Sequence, residues 1–286
     1  MGERKPDWLR VAVRPSPVAD RVDGVLERLG LATVCRAARC PNLPTCWGAG
    51  TATFMILGEV CTRSCRFCAV AHGRPLPPDP KEPARLAQAA AELGLRYVVL
   101  TSVDRDDLPD GGAGHYAAAI RAVREAVPEA RVEALVPDFG GDPEALAAVV
   151  AAQPHVLGHN LETVRRLTPT VRDRRAGYDR SLAVLARAKE LAPDLVTKSS
   201  LLLGLGEAEE EVAGALADLR AARVDLVVLG QYLRPTPREL PVARYVPPEE
   251  FRRWEEVARG MGFRAVVSAP LARTSFRAAE AYAASR

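Results

Sequence analysis

The sequence predicts an α/β protein built on a parallel sheet, and three observations carry that prediction. From Thr51 onward, short apolar runs rich in β-branched residues alternate six times with alanine-rich amphipathic stretches, the pattern of a parallel sheet with helices outside it. Runs such as Tyr97–Leu100 are almost wholly apolar, as expected of strands buried on both faces. Polar, charged and glycine residues collect directly after the apolar runs, where folds of this class carry their chemistry on loops. The alternation alone fits either an open doubly wound sheet or a curved partial barrel of six β/α units.

Residues 1–50 read as irregular, because Pro6, Pro15, Pro17, Pro41 and Pro44 interrupt them and only Val18–Leu29 has helical spacing. Strands are expected at Thr51–Leu57, Tyr97–Ser102, Arg131–Val136, Val156–Asn160, Leu195–Leu203 and Leu226–Gln231. Helices are expected between and after them, at Pro83–Leu93, Gly114–Val127, Pro143–Ala152, Asp179–Leu191, Glu207–Ala222 and Pro248–Gly260. Asp142-Pro143 supplies an N-cap and a first-turn proline, and Pro248-Glu-Glu puts acid in a first turn. Gly94 and Gly262 act as helix stops. Three segments follow: an extension over 1–50, a core over 51–262 and a C-terminal segment over 263–286.

The chain has 286 residues, 48% of them hydrophobic, and a formal net charge of +3. That length supports one substantial α/β domain. The charge is too mild, and its signs too interspersed, to point to nucleic acid. No apolar run reaches the roughly 18 residues that a membrane span needs, and the charged start lacks the apolar core of a secretory leader. A cytoplasmic setting is expected, where clustered cysteines bind metal or do redox chemistry more often than they form disulfides.

All six cysteines lie between Cys35 and Cys68, in two triplets: Cys35-x4-Cys40-x5-Cys46 and Cys61-x3-Cys65-x2-Cys68. Soft thiolates suit iron–sulfur clusters and zinc. Three of them can hold three corners of a [4Fe–4S] cube and leave the fourth iron open. The competing readings are a zinc knuckle completed by His72, for the second triplet, and disulfides or zinc for the first.

The second triplet, Cys61-Thr-Arg-Ser-Cys65-Arg-Phe67-Cys68, directly follows the first core strand and resembles the radical S-adenosylmethionine (SAM) superfamily. The first triplet narrows the resemblance to the lipoyl synthase family. So do Thr51-Ala-Thr-Phe-Met-Ile-Leu-Gly, Thr101-Ser-Val-Asp-Arg-Asp-Asp-Leu-Pro-Asp-Gly-Gly-Ala, Asn160-Leu-Glu-Thr-Val, Thr197-Lys-Ser-Ser-Leu, Gly204-Leu-Gly-Glu and Gly230-Gln-Tyr-Leu-Arg-Pro-Thr.

The resemblance spans about Val34 to Ala278. It implies a partial (β/α)6 TIM-like barrel and two [4Fe–4S] clusters: a radical-generating one on Cys61, Cys65 and Cys68, and an auxiliary one on Cys35, Cys40 and Cys46. The auxiliary cluster takes its fourth ligand from an Arg-Ser-Ser-Tyr motif, matched here by Arg273-Thr274-Ser275-Phe276, so Ser275 is the implied ligand and Thr274 the alternative. Thr274 and Phe276 depart from the motif, as do Arg36, Ala37, Ala269 and Ala272 from the family's usual residues at their positions; none of these is an implied ligand.

The resemblance further implies sulfur insertion at C6 and C8 of an octanoyl-lysine, consuming two molecules of SAM per lipoyl group, with sulfur from the auxiliary cluster. Implied partners are octanoylated carriers (the glycine-cleavage H protein and E2 domains), an electron donor such as ferredoxin or flavodoxin, and an iron–sulfur carrier protein. Another sulfur-inserting radical SAM enzyme and a non-catalytic zinc-stabilised binding protein are the rival readings.

Phe67 is expected to shield the cluster or line the adenine pocket. Asn160, Glu162, Arg175 and Lys198, at or beyond strand ends, are expected to hold SAM or the substrate lysine. Gly111-Gly112-Ala-Gly114 is a weak phosphate-loop candidate, and His115, His155 and His159 read as structural.

Overall fold

Apolar strands without a polar face need cover on both sides, and the sheet obtains it by curving around its own interior while helices pack outside. The computed structural model describes residues 5–11, 16–48 and 53–286. Before the barrel come α1 (Pro17–Arg28), β1 (Ala32–Thr33), α2 (Val34–Ala37) and α3 (Leu43–Gly48). Ser16 caps α1, its hydroxyl accepting from the Ala19 N–H, and Pro17 stands at the first helical position.

The barrel then alternates β2 (Thr53–Ile56), α4 (Glu82–Glu92), β3 (Tyr97–Ser102), α5 (Ala113–Ala126), β4 (Arg131–Leu135), α6 (Pro143–Ala151) and β5 (Val156–Gly158). It continues through α7 (Thr168–Val171), α8 (Tyr178–Leu191), β6 (Val196–Leu203), α9 (Glu209–Ala221), β7 (Leu226–Gln231), α10 (Pro248–Gly260) and β8 (Ala265–Ser268), and closes with α11 (Ala278–Ala284).

Strand order in the sheet is strand order in the chain. Strands β2 to β8 pair in parallel, and β1 adds antiparallel to β2. The sheet is open between β1 and β8, which makes it a partial TIM-like barrel. The six expected strands are present; the one expected over Thr51–Leu57 is described from Thr53, since Thr51 and Ala52 lie outside the described residues. Two further strands escape sequence pattern. β1 is only two residues long, and β8 is an Ala-Val-Val-Ser run too short to separate from loop. Because β8 hydrogen-bonds to β7, the sheet continues beyond residue 262.

Strand alternation stacks the interior in layers. Toward the carboxyl ends, Met55, Thr101, Leu135, Ser200, Leu202 and Gly230 line an open cavity. Below it, on the same inward faces, the Lys198 ammonium meets both Glu133 oxygens at 2.8 and 3.1 Å. The Tyr97 hydroxyl donates to Glu133 at 2.6 Å. Lower still, Val156, Val196, Leu226 and Ala265 cluster with Tyr282 of α11, whose ring also meets Tyr97 at 6.1 Å. The C-terminal helix therefore plugs the amino-terminal end, and the cavity lies toward the carboxyl ends of the strands.

Candidate functional site

The chain leaves β2 through two left-handed residues, Leu57 and Gly58, and enters the Cys61–Cys68 loop. Three backbone N–H groups point at its sulfurs: Arg63 and Asp104 at Cys61 (3.4 and 3.3 Å), and Asp173 at Cys65 (3.2 Å). Arg63, inside the loop, is buried and holds three carboxylates: Asp138 at 2.6 Å, Asp106 at 2.7 Å and Asp104 at 3.2 Å. The Ser64 N–H donates to Asp173 at 2.9 Å. The loop is thus clamped to the ends of β3 and β4 and to the turn after α7. Sequence reading quoted Arg63 only as part of a motif; an arginine between two cysteines, followed by an acidic run after the next strand, was the signal available for the clamp.

Burial sets the state of these thiols. It pushes Cys61 up to about 11, helped by the Asp104 carboxylate, Cys65 to about 11 and Cys68 to about 12. Burial also raises Asp104 to about 6, against the pull of Arg63. Thiols raised this far bind iron only by giving up their protons, so loading iron displaces protons.

The first triplet sits beside it. Thr33 starts α2, its hydroxyl accepting from the Cys35 N–H at 3.2 Å and donating to the Thr53 carbonyl at 2.8 Å. The Cys40 and Cys46 N–H groups donate to the Cys35 and Asn42 carbonyls. The Asn42 amide then reaches the distant Leu271 carbonyl at 2.6 Å. As a result Cys35, Cys40 and Cys46 face one small hollow whose wall includes Arg273, Ser275 and Phe276. Burial and the neighbouring thiols push Cys46 up to about 12.

Between the triplets lies a cavity of about 410 Å³, lined by Cys61, Cys65 and Cys68 on one side and by Cys35, Cys40, Thr274 and Ser275 on the other. That is room for a ligand of cofactor size. Phe67, Asn160 and Glu162 line it. Glu162 is left-handed and accepts from the Asn160 amide at 3.0 Å; burial pushes its carboxyl up, while Arg172 and Asn160 pull it down.

Two expectations need correction. Lys198 points into the barrel but one layer beneath the cavity, where Glu133 engages it. Arg175 is exposed at the rim, paired with Asp173 at 2.9 Å and Asp106 at 3.2 Å. Arg172 lines the cavity instead, alongside Arg63, Arg234 and Arg273; it is buried and pairs with no carboxylate among the described residues. It donates to the Ser181 hydroxyl at 2.8 Å. Ser181 in turn lies 2.9 Å from His159 Nε2, whose Nδ1 faces the Val136 carbonyl at 2.9 Å. Two arginines three residues apart, both after the same strand, gave no sequence signal to choose between them.

The glycine run is not a phosphate loop here, because the Gly112 and Gly114 N–H groups donate to the Asp110 carboxylate at 2.9 and 2.8 Å. His115 pairs with Glu82, and His155 accepts from the Val132 N–H. No helix among the described residues is long and apolar enough to cross a membrane.

Residues 55–219 match the family model of the Radical SAM superfamily. Curated relatives named lipoyl synthase match nearly end to end. The one from Pyrobaculum arsenaticum is 60% identical over 97% of this chain and 94% of its own. The one from Thermus thermophilus is 58% identical over 96% and 85%. The chain belongs to the lipoyl synthase family of radical SAM enzymes. Solved structures agree on the fold: the hydrogenase maturase HydG, with a TM-score of 0.61 at 15% identity, over 81% of this chain and 54% of that one. Methylornithine synthase has a TM-score of 0.59 at 14% identity, over 88% and 75%. For a lipoyl synthase family member a [4Fe–4S] cluster and SAM are implied as cofactors, and the donor set fits them. All six cysteines are free thiols. Among the described residues no three His, Cys, Asp or Glu side chains converge tightly enough for a single metal ion.

Proposed function

We propose that this chain inserts two sulfur atoms, at C6 and C8, into the octanoyl-lysine of a lipoyl carrier protein, the lipoyl synthase reaction. The observation that carries the reading is the juxtaposition of two cysteine triplets across one cavity, with Ser275 in the wall of the auxiliary hollow. Cys61, Cys65 and Cys68 would hold the cluster whose electron cleaves SAM, and Cys35, Cys40, Cys46 and Ser275 would hold the one that supplies the sulfur.

The protein's part is to bind, orient and exclude water. Arg172 offers a guanidinium for the methionine carboxylate, and Glu162 and the Asn160 Oδ1 offer acceptors for the amine or ribose. Phe67 and Leu202 give the cavity apolar wall, and Met55 and Leu135 extend it toward the octanoyl chain. Thr274 is tied to Asn160 at 3.0 Å, which leaves Ser275 as the hydroxyl facing the auxiliary cysteines. Its hard oxygen would be the weakest of four ligands to iron, so Ser275→Cys should retain the iron yet slow sulfur insertion; unchanged lipoyl formation would count against that role.

Ferredoxin or flavodoxin is the class of electron donor proposed, the H protein or an E2 domain the carrier, and an iron–sulfur carrier protein the source of repair. The deciding experiment is anaerobic reconstitution followed by mass spectrometry of an octanoyl-lysyl peptide incubated with SAM and dithionite. Two iron–sulfur cubes per chain and a peptide in which two sulfurs replace two hydrogens support the reading. A colourless zinc protein, or a peptide free of sulfur, overturns it.

A further inference from the structure

The segment carrying Ser275 is held at three separate places. Near its start, the Gln231 N–H donates to the Pro270 carbonyl at 3.1 Å and Asn42, from within the Cys40–Cys46 loop, donates to Leu271. In its middle, the Ala272 backbone lies directly on Gly230. A Cβ built on Gly230 would stand 2.1 Å from the Ala272 oxygen and 3.2 Å from Arg273 Nη1. At its far end, one residue before Ser275, the Thr274 hydroxyl forms a two-way pair with the Asn160 amide, accepting from Nδ2 at 3.0 Å and facing Oδ1 at 3.2 Å. The same Nδ2 also donates to Glu162. One amide therefore links a buried carboxyl on the cavity wall to the residue next to Ser275, and every polar atom of that amide is used.

We propose that Thr274 is a positioning residue that couples the SAM side of the cavity to the auxiliary cluster through Asn160, so that a nucleoside ligand held at Glu162 and Asn160 fastens Ser275 in place. The proposal rests on the lipoyl synthase reading and adds a coupling to it. The physical ground is linkage. A ligand that fixes Glu162 also fixes the amide bonded to it, and ordering the amide removes freedom that the Thr274 segment would otherwise retain. Two-way pairing makes the hydroxyl the point of transmission, since a methyl in its place can neither donate to Oδ1 nor accept from Nδ2. The position holds Thr where the family motif has Ser, and both residues carry the hydroxyl that the link needs.

The test reads the auxiliary cluster rather than turnover. Reconstituted, oxidised holoenzyme is challenged with a ferrous chelator, with and without saturating S-adenosylhomocysteine, which cannot be cleaved. The auxiliary phase of iron loss is the one missing from a Cys35→Ala/Cys40→Ala/Cys46→Ala variant. In the wild type the nucleoside should slow that phase several-fold. Thr274→Val should lose the iron faster and show no slowing by the nucleoside, whereas Thr274→Ser, which keeps the hydroxyl, should restore it. Equal protection in Thr274→Val and wild type, no protection in wild type, or lost protection in Thr274→Ser overturns the coupling. A wild-type chain that binds a single cluster or leaves the octanoyl peptide unchanged instead defeats the functional reading, so the two failures are told apart by the same preparation.

Discussion

At the scale of single residues, the polar chain Arg172–Ser181–His159–Val136 determines how the cavity meets an anionic ligand. Arg172→Gln removes a charge-assisted contact worth about 1.5–3 kcal/mol, so SAM affinity should fall roughly ten- to a hundredfold. Arg175→Gln, at an exposed rim pair, should change it by less than about threefold. Calorimetric titration of the reconstituted variants checks both. His159 is buried, and its burial together with Arg172 lowers its pKa to about 4. The unfolded chain therefore takes up a proton below the ordinary pKa of about 6.5 while the folded chain does not. Stability should be complete above that value and fall as pH drops toward 4, by about 3 kcal/mol at most. Urea titrations of wild type and His159→Gln across that window should differ by one proton's slope. Sequence reading took His159 as structural, but its neighbours Ser181 and Arg172 come from other stretches of chain, so the network itself was not legible.

At the scale of elements, the site is a set of loops whose positions are determined by cross-links between distant segments. The Cys61–Cys68 loop is seated by Asp104, Asp106 and Asp138 from two other strand ends. The Cys40–Cys46 loop is tied to Leu271. Gly230 makes room for the Ser275 segment. A methyl there has no space against backbone atoms, so Gly230→Ala should displace the segment. Auxiliary iron should drop sharply while the Cys61–Cys68 cluster stays, read as iron content falling from two clusters toward one and as loss of the auxiliary Mössbauer signal. Helix α1 and the six long core helices were readable in advance to within a residue or two because caps and periodicity are local, whereas the short α2, α3 and α7 and the C-terminal α11 were not. Asp142 accepting from the Glu144 N–H at the start of α6 is one case. β8 was not readable, because four residues become a strand only when β7 offers its edge.

At the scale of the molecule, the barrel is closed below and open above. Tyr282 plugs the lower end, and the Lys198–Glu133 pair floors the cavity with both side chains fully buried. Such a pair adds little net stability over an apolar isostere, but breaking it leaves a stranded charge. Lys198→Met should therefore cost about 3–5 kcal/mol. The double variant Lys198→Met/Glu133→Gln, which keeps an acceptor for Tyr97, should recover most of the loss in denaturant titrations. This also explains why Lys198 could not be placed from sequence. Its parity with Ser200 and Leu202 fits the inward face, but depth along the barrel axis depends on strand stagger, which no local pattern encodes.

Cysteine spacing, strand–helix alternation and the polar residues after each strand are short-range properties. They were enough for the α/β class, for grouping the cysteines in two triplets and for expecting the chemistry beyond the carboxyl ends of the strands. What tertiary structure alone decided is which side chains share the cavity. It chose Arg172 over Arg175, sent Lys198 to the floor, and set Ser275 rather than Thr274 toward the first triplet. Those choices follow from contacts between residues as far apart as Asn42 and Leu271, where the meeting point is determined by how strands stack and stagger rather than by what lies next along the chain.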